Sequence, residues 1–264
     1  VAYIADINND SQNEIIGGGN DGLIVYFANG TRIWNNSFGG ENLLEGDFNG
    51  DVYTDIMSFW DNGDILVHSG NNGTTLLNIS GSINPKILRF IDLNNSEKSE
   101  HMIIGCHGRL YSYLKNGTQI WTVDPIGSAW DRHIDYLEVL DIDNDGYQDD
   151  FVFLQGLENV LYAYNGSESG ADQLWNYSIF GNPSDLKLGD INGDGKEEII
   201  VSSNGGLEVF NKSGEKLWFY EVNSSSNFKE VSITDINTDG VMDIIGGFVN
   251  DGLSEGYGYI LQDV

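Results

Sequence analysis

One acidic phrase returns six times along the chain and constrains its fold more than any other feature. Aligned on a leading Asp, the copies read DINNDSQNEI from Asp6, DFNGDVYTDI from Asp47, DLNNSEKSEH from Asp92, DIDNDGYQDD from Asp141, DINGDGKEEI from Asp190 and DINTDGVMDI from Asp235, at spacings of 41, 45, 49, 49 and 45 residues. Self-similarity at a period of roughly 20 to 50 residues marks arrays and propellers, in which each unit buries its apolar face only against its neighbours.

The phrase puts oxygen-bearing side chains at positions 1, 3, 5 and 9. An EF-hand loop would add a bidentate Glu at position 12 and a helix on each side, because calcium takes about seven oxygens. Position 12 holds Gly17, Ser58, Ile103, Val152, Val201 and Gly246, so all six copies depart from that loop in the same way. The flanks are strand-like: SDLKLG before the fifth copy alternates apolar and polar residues, and IIVSS after it is β-branched.

Hard-cation chemistry then assigns side-chain oxygens from positions 1, 3, 5 and 9, a backbone carbonyl from position 7, and water for the rest. Copy by copy, the expected ligands are Asp6, Asn8, Asp10, Gln12 and Glu14; Asp47, Asn49, Asp51, Tyr53 and Asp55; Asp92, Asn94, Ser96, Lys98 and Glu100; Asp141, Asp143, Asp145, Tyr147 and Asp149; Asp190, Asn192, Asp194, Lys196 and Glu198; and Asp235, Asn237, Asp239, Val241 and Asp243. Sodium, or a network of acidic turns with no ion, is the alternative, since Asp and Asn favour turns through local hydrogen bonds. The third copy is the weakest, with Ser96 for Asp and Glu97 at the glycine position. Ser11 and Val52 also replace that glycine, which makes the turn costlier.

Composition fits this reading. Against 12 Lys and Arg stand 41 Asp and Glu, for a formal net charge of −29. Six divalent ions would bring the net to about −17, so much of the acidity is metal ligation. The remaining charge argues against nucleic acid, whose binding needs a basic footprint. Without metal the clustered carboxylates repel, so about five to six Ca2+ ions are expected in a structural role.

Between the loops the unit repeats as well. An apolar run follows each loop (EIIGGG, DIMSFW, HMIIGC, DFVFLQ, EIIVSS, DIIGGF), then an alternating strand ending in a turn, then in most copies a strand with Trp (TRIWNNS, TQIWTVD, DQLWNYS, EKLWFYE). With the strand leading into each loop, the unit has four strands. No stretch reads as a helix. These cues predict an all-β fold, a β-propeller of six four-stranded repeats forming a single domain over residues 1–264, with blades at about 1–40, 41–84, 85–130, 131–182, 183–228 and 229–264. The sixth lacks its outer strand, which sequence outside these residues would supply, and a seventh blade beyond them stays open.

The DxNxDGxxE/D phrase followed by a short apolar strand resembles the FG-GAP or VCBS repeats of integrin-α-like calcium-binding propellers, over nearly the whole chain. The resemblance implies metal ligation by the matching residues of each copy. The NGTxIW and KSGEKLW turns also resemble the outer-strand Trp motif of PQQ-type quinoprotein propellers, a likeness read as architectural only.

Loops of this type saturate where calcium is plentiful, outside the cell. Asn-x-Ser/Thr occurs at Asn9, Asn29, Asn35, Asn72, Asn78, Asn94, Asn116, Asn165, Asn176, Asn211 and Asn223, whereas chance would give about three. Asn-Gly turns account for Asn29, Asn72, Asn116 and Asn165 without any sugar; the other seven point to a glycosylated protein of the extracellular space or cell surface. Cys106 stands alone in an apolar strand and reads as packing. No membrane span is visible.

The four histidines fall at unrelated phases and none is paired in sequence with a nucleophile. The longest insertion between blades, IGSAWDRHIDY from Ile126, holds Trp130, Arg132 and His133, which are candidates for engaging a ligand or partner. Trp60 also falls outside the regular Trp position. The leading expectation is a non-enzymatic module for adhesion, for surface or filament assembly, or for binding a protein or glycan at the cell surface, copies of itself included. The alternative is an enzyme on a propeller scaffold, a polysaccharide lyase using Arg132 and His133 or a quinoprotein-like oxidoreductase; only 12 cationic side chains are available to such a site.

Overall fold

The computed structural model describes residues 1–40, 42–60, 63–80, 85–96, 101–125, 133–221, 226–250 and 255–261. Among them the only extended elements are strands, paired in chain order into six sheets. The first sheet contains β1 (Ala2–Ala5), β2 (Glu14–Gly19), β3 (Gly22–Tyr26) and β4 (Arg32–Asn36). The second contains β5 (Asn42–Gly46), β6 (Asp55–Phe59), β7 (Ile65–His68) and β8 (Thr75–Ile79). The third contains β9 (Ile87–Ile91), β10 (His101–Gly105), β11 (Leu110–Leu114) and β12 (Gln119–Val123). The fourth contains β13 (Ile134–Leu140), β14 (Asp150–Gln155), β15 (Val160–Ser167) and β16 (Gly170–Ser178). The fifth contains β17 (Pro183–Gly189), β18 (Glu198–Ser203), β19 (Gly206–Phe210) and β20 (Lys216–Glu221). Three strands, β21 (Ser226–Thr234), β22 (Asp243–Asn250) and β23 (Glu255–Leu261), make the sixth.

This is the propeller repeat expected from the sequence, four strands to a unit and three in the last. The chain divides into two compact units, residues 1–86 with 112–120 and residues 87–111 with 121–264. No helix among the described residues is long and apolar enough to cross a membrane.

Burial follows strand position within a sheet. The second strands β14 and β18 are buried along their whole length, as their unbroken apolar runs require, whereas the outer strands β8, β16 and β20 are largely open to solvent. Within each unit, neighbouring sheets pack face to face. Leu140, Val152, Leu154 and Leu161 of the fourth meet Leu186, Ile199, Val201 and Phe210 of the fifth, and Ile200 and Val209 of the fifth meet Val231 and Ile244 of the sixth. In the other unit Ile16, Leu23 and Val25 pack with Ile56.

The in-phase tryptophans tie these layers together. Three of the four lie on the fourth strand of one sheet with the indole N–H donating to a backbone carbonyl in the last turn of the next: Trp34 to Gly70 at 2.8 Å, Trp121 to Ser167 at 2.8 Å and Trp175 to Lys212 at 3.0 Å. Each such bond contributes about 1 kcal/mol beyond the burial of the ring. The turn also needs a residue without a side chain, since a Cβ at Gly73 or Gly214 would stand 2.5 or 2.7 Å from the indole of Trp34 or Trp175. Leu77 fills the slot in the second sheet and lies against Gly117. Trp60, outside the pattern, closes the turn between β6 and β7, where its carbonyl accepts from Gly63 N at 3.1 Å.

Candidate metal loops

The six acidic loops all join the first strand of a sheet to its second, so the sheet register fixes where every loop begins and ends. The residue before the leading Asp pairs with the first residue of the next strand: Ala5 with Glu14, Gly46 with Asp55, Ile91 with His101, Leu140 with Asp150, Gly189 with Glu198 and Thr234 with Asp243. Four of the six therefore close on the expected position 9. The third and fourth loops are one residue longer, and the slot is taken by His101 instead of Glu100 and by Asp150 instead of Asp149.

Five loops share one internal scheme. The leading carboxylate accepts backbone N–H groups from positions 4 to 6, as Asp190 does from Gly193 at 2.8 Å and Gly195 at 2.8 Å, and as Asp235 does from Thr238 at 2.6 Å and Gly240 at 2.9 Å. Asp6, Asp47 and Asp141 do the same. The position 5 carboxylate accepts the N–H of position 7: Gln12 to Asp10, Tyr53 to Asp51, Tyr147 to Asp145, Lys196 to Asp194 and Val241 to Asp239, at 2.8 to 3.0 Å. The turn puts position 6 in the left-handed region, where Gly146, Gly195 and Gly240 sit without cost and Ser11 and Val52 sit at φ 67 and 69.

The acid that opens the second strand reaches back across the loop. One oxygen accepts the N–H of position 2: Ile7 to Glu14 at 3.1 Å, Phe48 to Asp55 at 3.0 Å, Ile142 to Asp150 at 2.7 Å, Ile191 to Glu198 at 3.1 Å and Ile236 to Asp243 at 2.9 Å. These carboxylates are almost entirely out of solvent. Burial pushes Glu14, Asp55 and Glu198 above the usual carboxyl range. In the fourth loop burial and neighbouring carboxylates carry Asp149 and Asp150 up to about 6 each.

Does this donor set suit a hard cation? In the fourth loop Asp141, Asp143 and Asp150 each bring a carboxylate oxygen to within 4.8 Å of the others, close to the span of about 5 Å across one Ca2+ with ligands at about 2.4 Å. Asp150 Oδ1 and, in the first loop, Asn8 Oδ1 are buried without a hydrogen-bond partner, acceptors turned from water with no donor supplied. An all-oxygen set with unpaired buried acceptors fits calcium. Basic side chains from the next sheet serve the backbone of the loop instead: Lys212 Nζ donates to Asp141 O at 2.6 Å and Lys115 Nζ lies 3.5 Å from Asp47 O.

The third loop differs. Asp92 Oδ1 accepts Ser96 N at 3.1 Å, but the closing acid is gone and a fully buried imidazole holds its slot. His101 Nδ1 has no hydrogen-bond partner, and Nε2 lies 3.5 Å from Glu168 Oε1. Lys98 and Glu100 lie outside the described residues. Counting from the leading Asp reaches Asp149 in the fourth loop where the structure brings in Asp150; counting back from the apolar strand would have found Asp150, and in the third loop it reaches His101.

Other expected residues separate from the loops. Trp130 and Arg132 lie outside the described residues. His133 bridges to His107, ring centroids 4.5 Å apart. His68 is buried beside Asn36 Nδ2 at 3.2 Å, and burial pushes it down to about 4. Cys106 is buried and its thiol is pushed up to about 11 by that burial, as a packing residue would be.

A pocket of about 500 Å³ lies beside the fourth and fifth loops, lined by Asp143, Trp175, Asp194, Glu198 and Lys212 among others. It holds both acidic groups and an aromatic face.

Residues 190–246, from the fifth loop into the strand after the sixth, match the FG-GAP-like repeat. No curated protein matches the chain by sequence. Among solved structures the chain is similar to BBS1N in its complex with ARL6DN, at TM-score 0.64 and 9% identity over 98% of this chain and 80% of that one. It is also similar to BamB from Moraxella catarrhalis, at TM-score 0.59 and 18% identity over 97% and 75%, and to the V. cholerae biofilm matrix protein Bap1, at TM-score 0.59 and 16% identity over 89% and 41%. At such identities the likeness is one of fold, the β-propeller.

Proposed function

We propose that this β-propeller, with its FG-GAP-like repeat, is a non-enzymatic binding or adhesion module of the extracellular space or cell surface, stabilised by calcium in five of its six loops. The observation that carries the reading is the scheme shared by five loops, brought furthest in the fourth, where three carboxylates from one loop and the next strand converge. Calcium would be held there by Asp141, Asp143 and Asp150, and at the matching positions of the first, second, fifth and sixth loops. When bound, the ion neutralises clustered charge that the folded chain otherwise has to hold together.

Calcium of this kind is structural. The binding surface is then the rest of the module: loops, turns and edges that the rigid sheets hold in place. The fold likeness to a biofilm matrix protein, and to a propeller crystallised with a protein partner, supports binding rather than chemistry. Proteins, glycans and further copies of the chain are the partner classes. The abundance of calcium outside cells and the excess of Asn-x-Ser/Thr triplets support an exported, glycosylated protein.

Native mass spectrometry with elemental analysis, before and after chelation and beside a thermal melt, tests the reading. Five calcium ions per chain and a large loss of melting temperature on chelation are expected. Fewer than two ions, or a melt indifferent to chelator, would overturn it and leave the loops as acidic turns.

A further inference from the structure

Three Asn-x-Ser triplets occupy one place in the repeat. Asn35, Asn78 and Asn176 each follow the residue that fills the Trp slot, namely Trp34, Leu77 and Trp175. Register confirms the equivalence. The slot residues pair with Val25, Val67 and Ala163 on the third strand, and the asparagines with Ile24, Leu66 and Tyr162. All three asparagines are exposed, and all lie on β4, β8 and β16, the strands at the outer edge of their sheets. Chance accounts for about three such triplets in the whole chain, not for three in the same register.

The remaining triplets are placed differently. Asn29, Asn72 and Asn116 use Oδ1 to accept the N–H two residues on, each at 2.9 Å, and so hold the last turn. Asn165 and Asn211 also commit the nitrogen: Nδ2 of Asn165 donates to Asp143 Oδ2 at 3.0 Å and Nδ2 of Asn211 to Glu215 Oε2 at 3.2 Å. Asn9 and Asn94 lie inside the acidic loops, and Asn223 lies outside the described residues.

An edge strand offers a row of unpaired N–H and C=O groups to any other chain that can extend the sheet. Here the hazard is raised by apolar residues: Leu76 is 41% exposed and Leu174 is 42% exposed, each two positions before the asparagine. Both sit where the register with the third strand shifts, between Val67 and His68 and between Ala163 and Tyr164. That bulge disturbs the ladder there but leaves the leucine in water.

We propose that Asn35, Asn78 and Asn176 are N-glycosylated and that the glycans shield the outer edges of the first, second and fourth sheets from pairing with other chains. In the transfer, Nδ2 forms a bond to the anomeric carbon of an activated oligosaccharide donor. The bond from that carbon to its phosphate leaving group breaks, and the amide proton leaves with the phosphate. The asparagine keeps its Oδ1. The inference rests on the proposed function only in needing export to the compartment where donor and transferase act.

The test is glycopeptide mapping by fragmentation mass spectrometry on the protein purified from the cells that make it. Sugar is expected on the peptides carrying Asn35, Asn78 and Asn176 and not at Asn165 or Asn211; unmodified peptides at the first three would overturn the assignment. For the shielding role, the triple variant N35Q/N78Q/N176Q made in the same cells is compared with the parent by sedimentation velocity. At least a several-fold rise in self-association is expected, at unchanged calcium content and melting temperature. A variant as monodisperse as the parent would sink the role. Glycosylated edges on a calcium-free protein would refute the calcium reading alone, and calcium-loaded protein with bare edges would refute this one alone.

Discussion

The third and fourth loops have the same length, one residue more than the other four, and close on the same slot of the sheet, yet they are chemically unlike. In the fourth the slot holds Asp150, whose Oδ2 takes the N–H of Ile142 at 2.7 Å while Oδ1 is left for another partner. In the third it holds His101, fully buried. A carboxylate there completes an all-oxygen pocket; an imidazole offers nitrogen in place of oxygen, and position 5 of that loop is Ser96 rather than an acid. A backbone slot is therefore kept while its oxygen donor is not, and on the proposed reading five ions rather than six should follow.

Removal of metal has the largest expected effect and separates the loops as a class. An ion at one hundred times its dissociation constant adds about 2.7 kcal/mol per site, and each kcal/mol moves the melting temperature of a chain this size by about 2–4 °C. Chelation should therefore lower the melt by well over ~10 °C. A sixth ion in the count would erase the distinction between the third and fourth loops.

Next in size is Asp150→Asn. It removes one charge and keeps an acceptor for Ile142 N, so one calcium should be lost, with about 2–3 kcal/mol of stability in calcium, while the chelated protein, relieved of a buried charge, should be no less stable. Asp149→Asn should keep all five ions. The reverse result, with Asp149 essential and Asp150 dispensable, would return the fourth loop to the spacing read from its leading Asp.

The pH dependence follows from the same pair. Asp149 and Asp150, raised to about 6, hold more protons in the folded, metal-free chain than in the unfolded one over the window from about 4 to 6. Metal-free stability from these groups falls as pH rises through that window, while calcium must displace those protons to bind. The gap between calcium-loaded and chelated melts should narrow from pH 7.5 to pH 5. His68, held near 4, contributes equally to both melts and cancels from the difference. A gap that does not change with pH would count against ligation by Asp150 in this loop.

The smallest effect is expected at the third loop itself. His101→Gln should leave the ion count at five and move stability by about 1 kcal/mol, since it exchanges one buried polar side chain for another. His101→Asp is the sharper form: a charge buried without a partner should destabilise the chelated protein, and calcium should restore it with a sixth ion. Failure of calcium to rescue it would show that Ser96, and not the imidazole alone, keeps the site closed.

Much of this was legible in the chain. The sixfold phrase, the strand patterns around it and the Trp slot gave the sheet count, the strand count and the place of each loop, because strand alternation and turn chemistry are local and repeat with the sequence. Local reading failed where one residue changed the frame. Asp149 stands at the expected distance from its leading Asp, but pairing of Leu140 with Asp150 decides which acid faces the loop, and pairing of Ile91 with His101 puts a histidine at the same slot of the third.

The sequence by itself determined that this is a repeated all-β chain with acidic loops, since hydrophobic period and turn residues act within a few positions of one another. Only the tertiary structure decided which acid closes each loop, which histidine stands in its place, and which asparagines lie on an open edge, because side chains are assigned to a face by hydrogen-bonded register with a neighbouring strand. A shift of a single residue there moves every side chain to the other face.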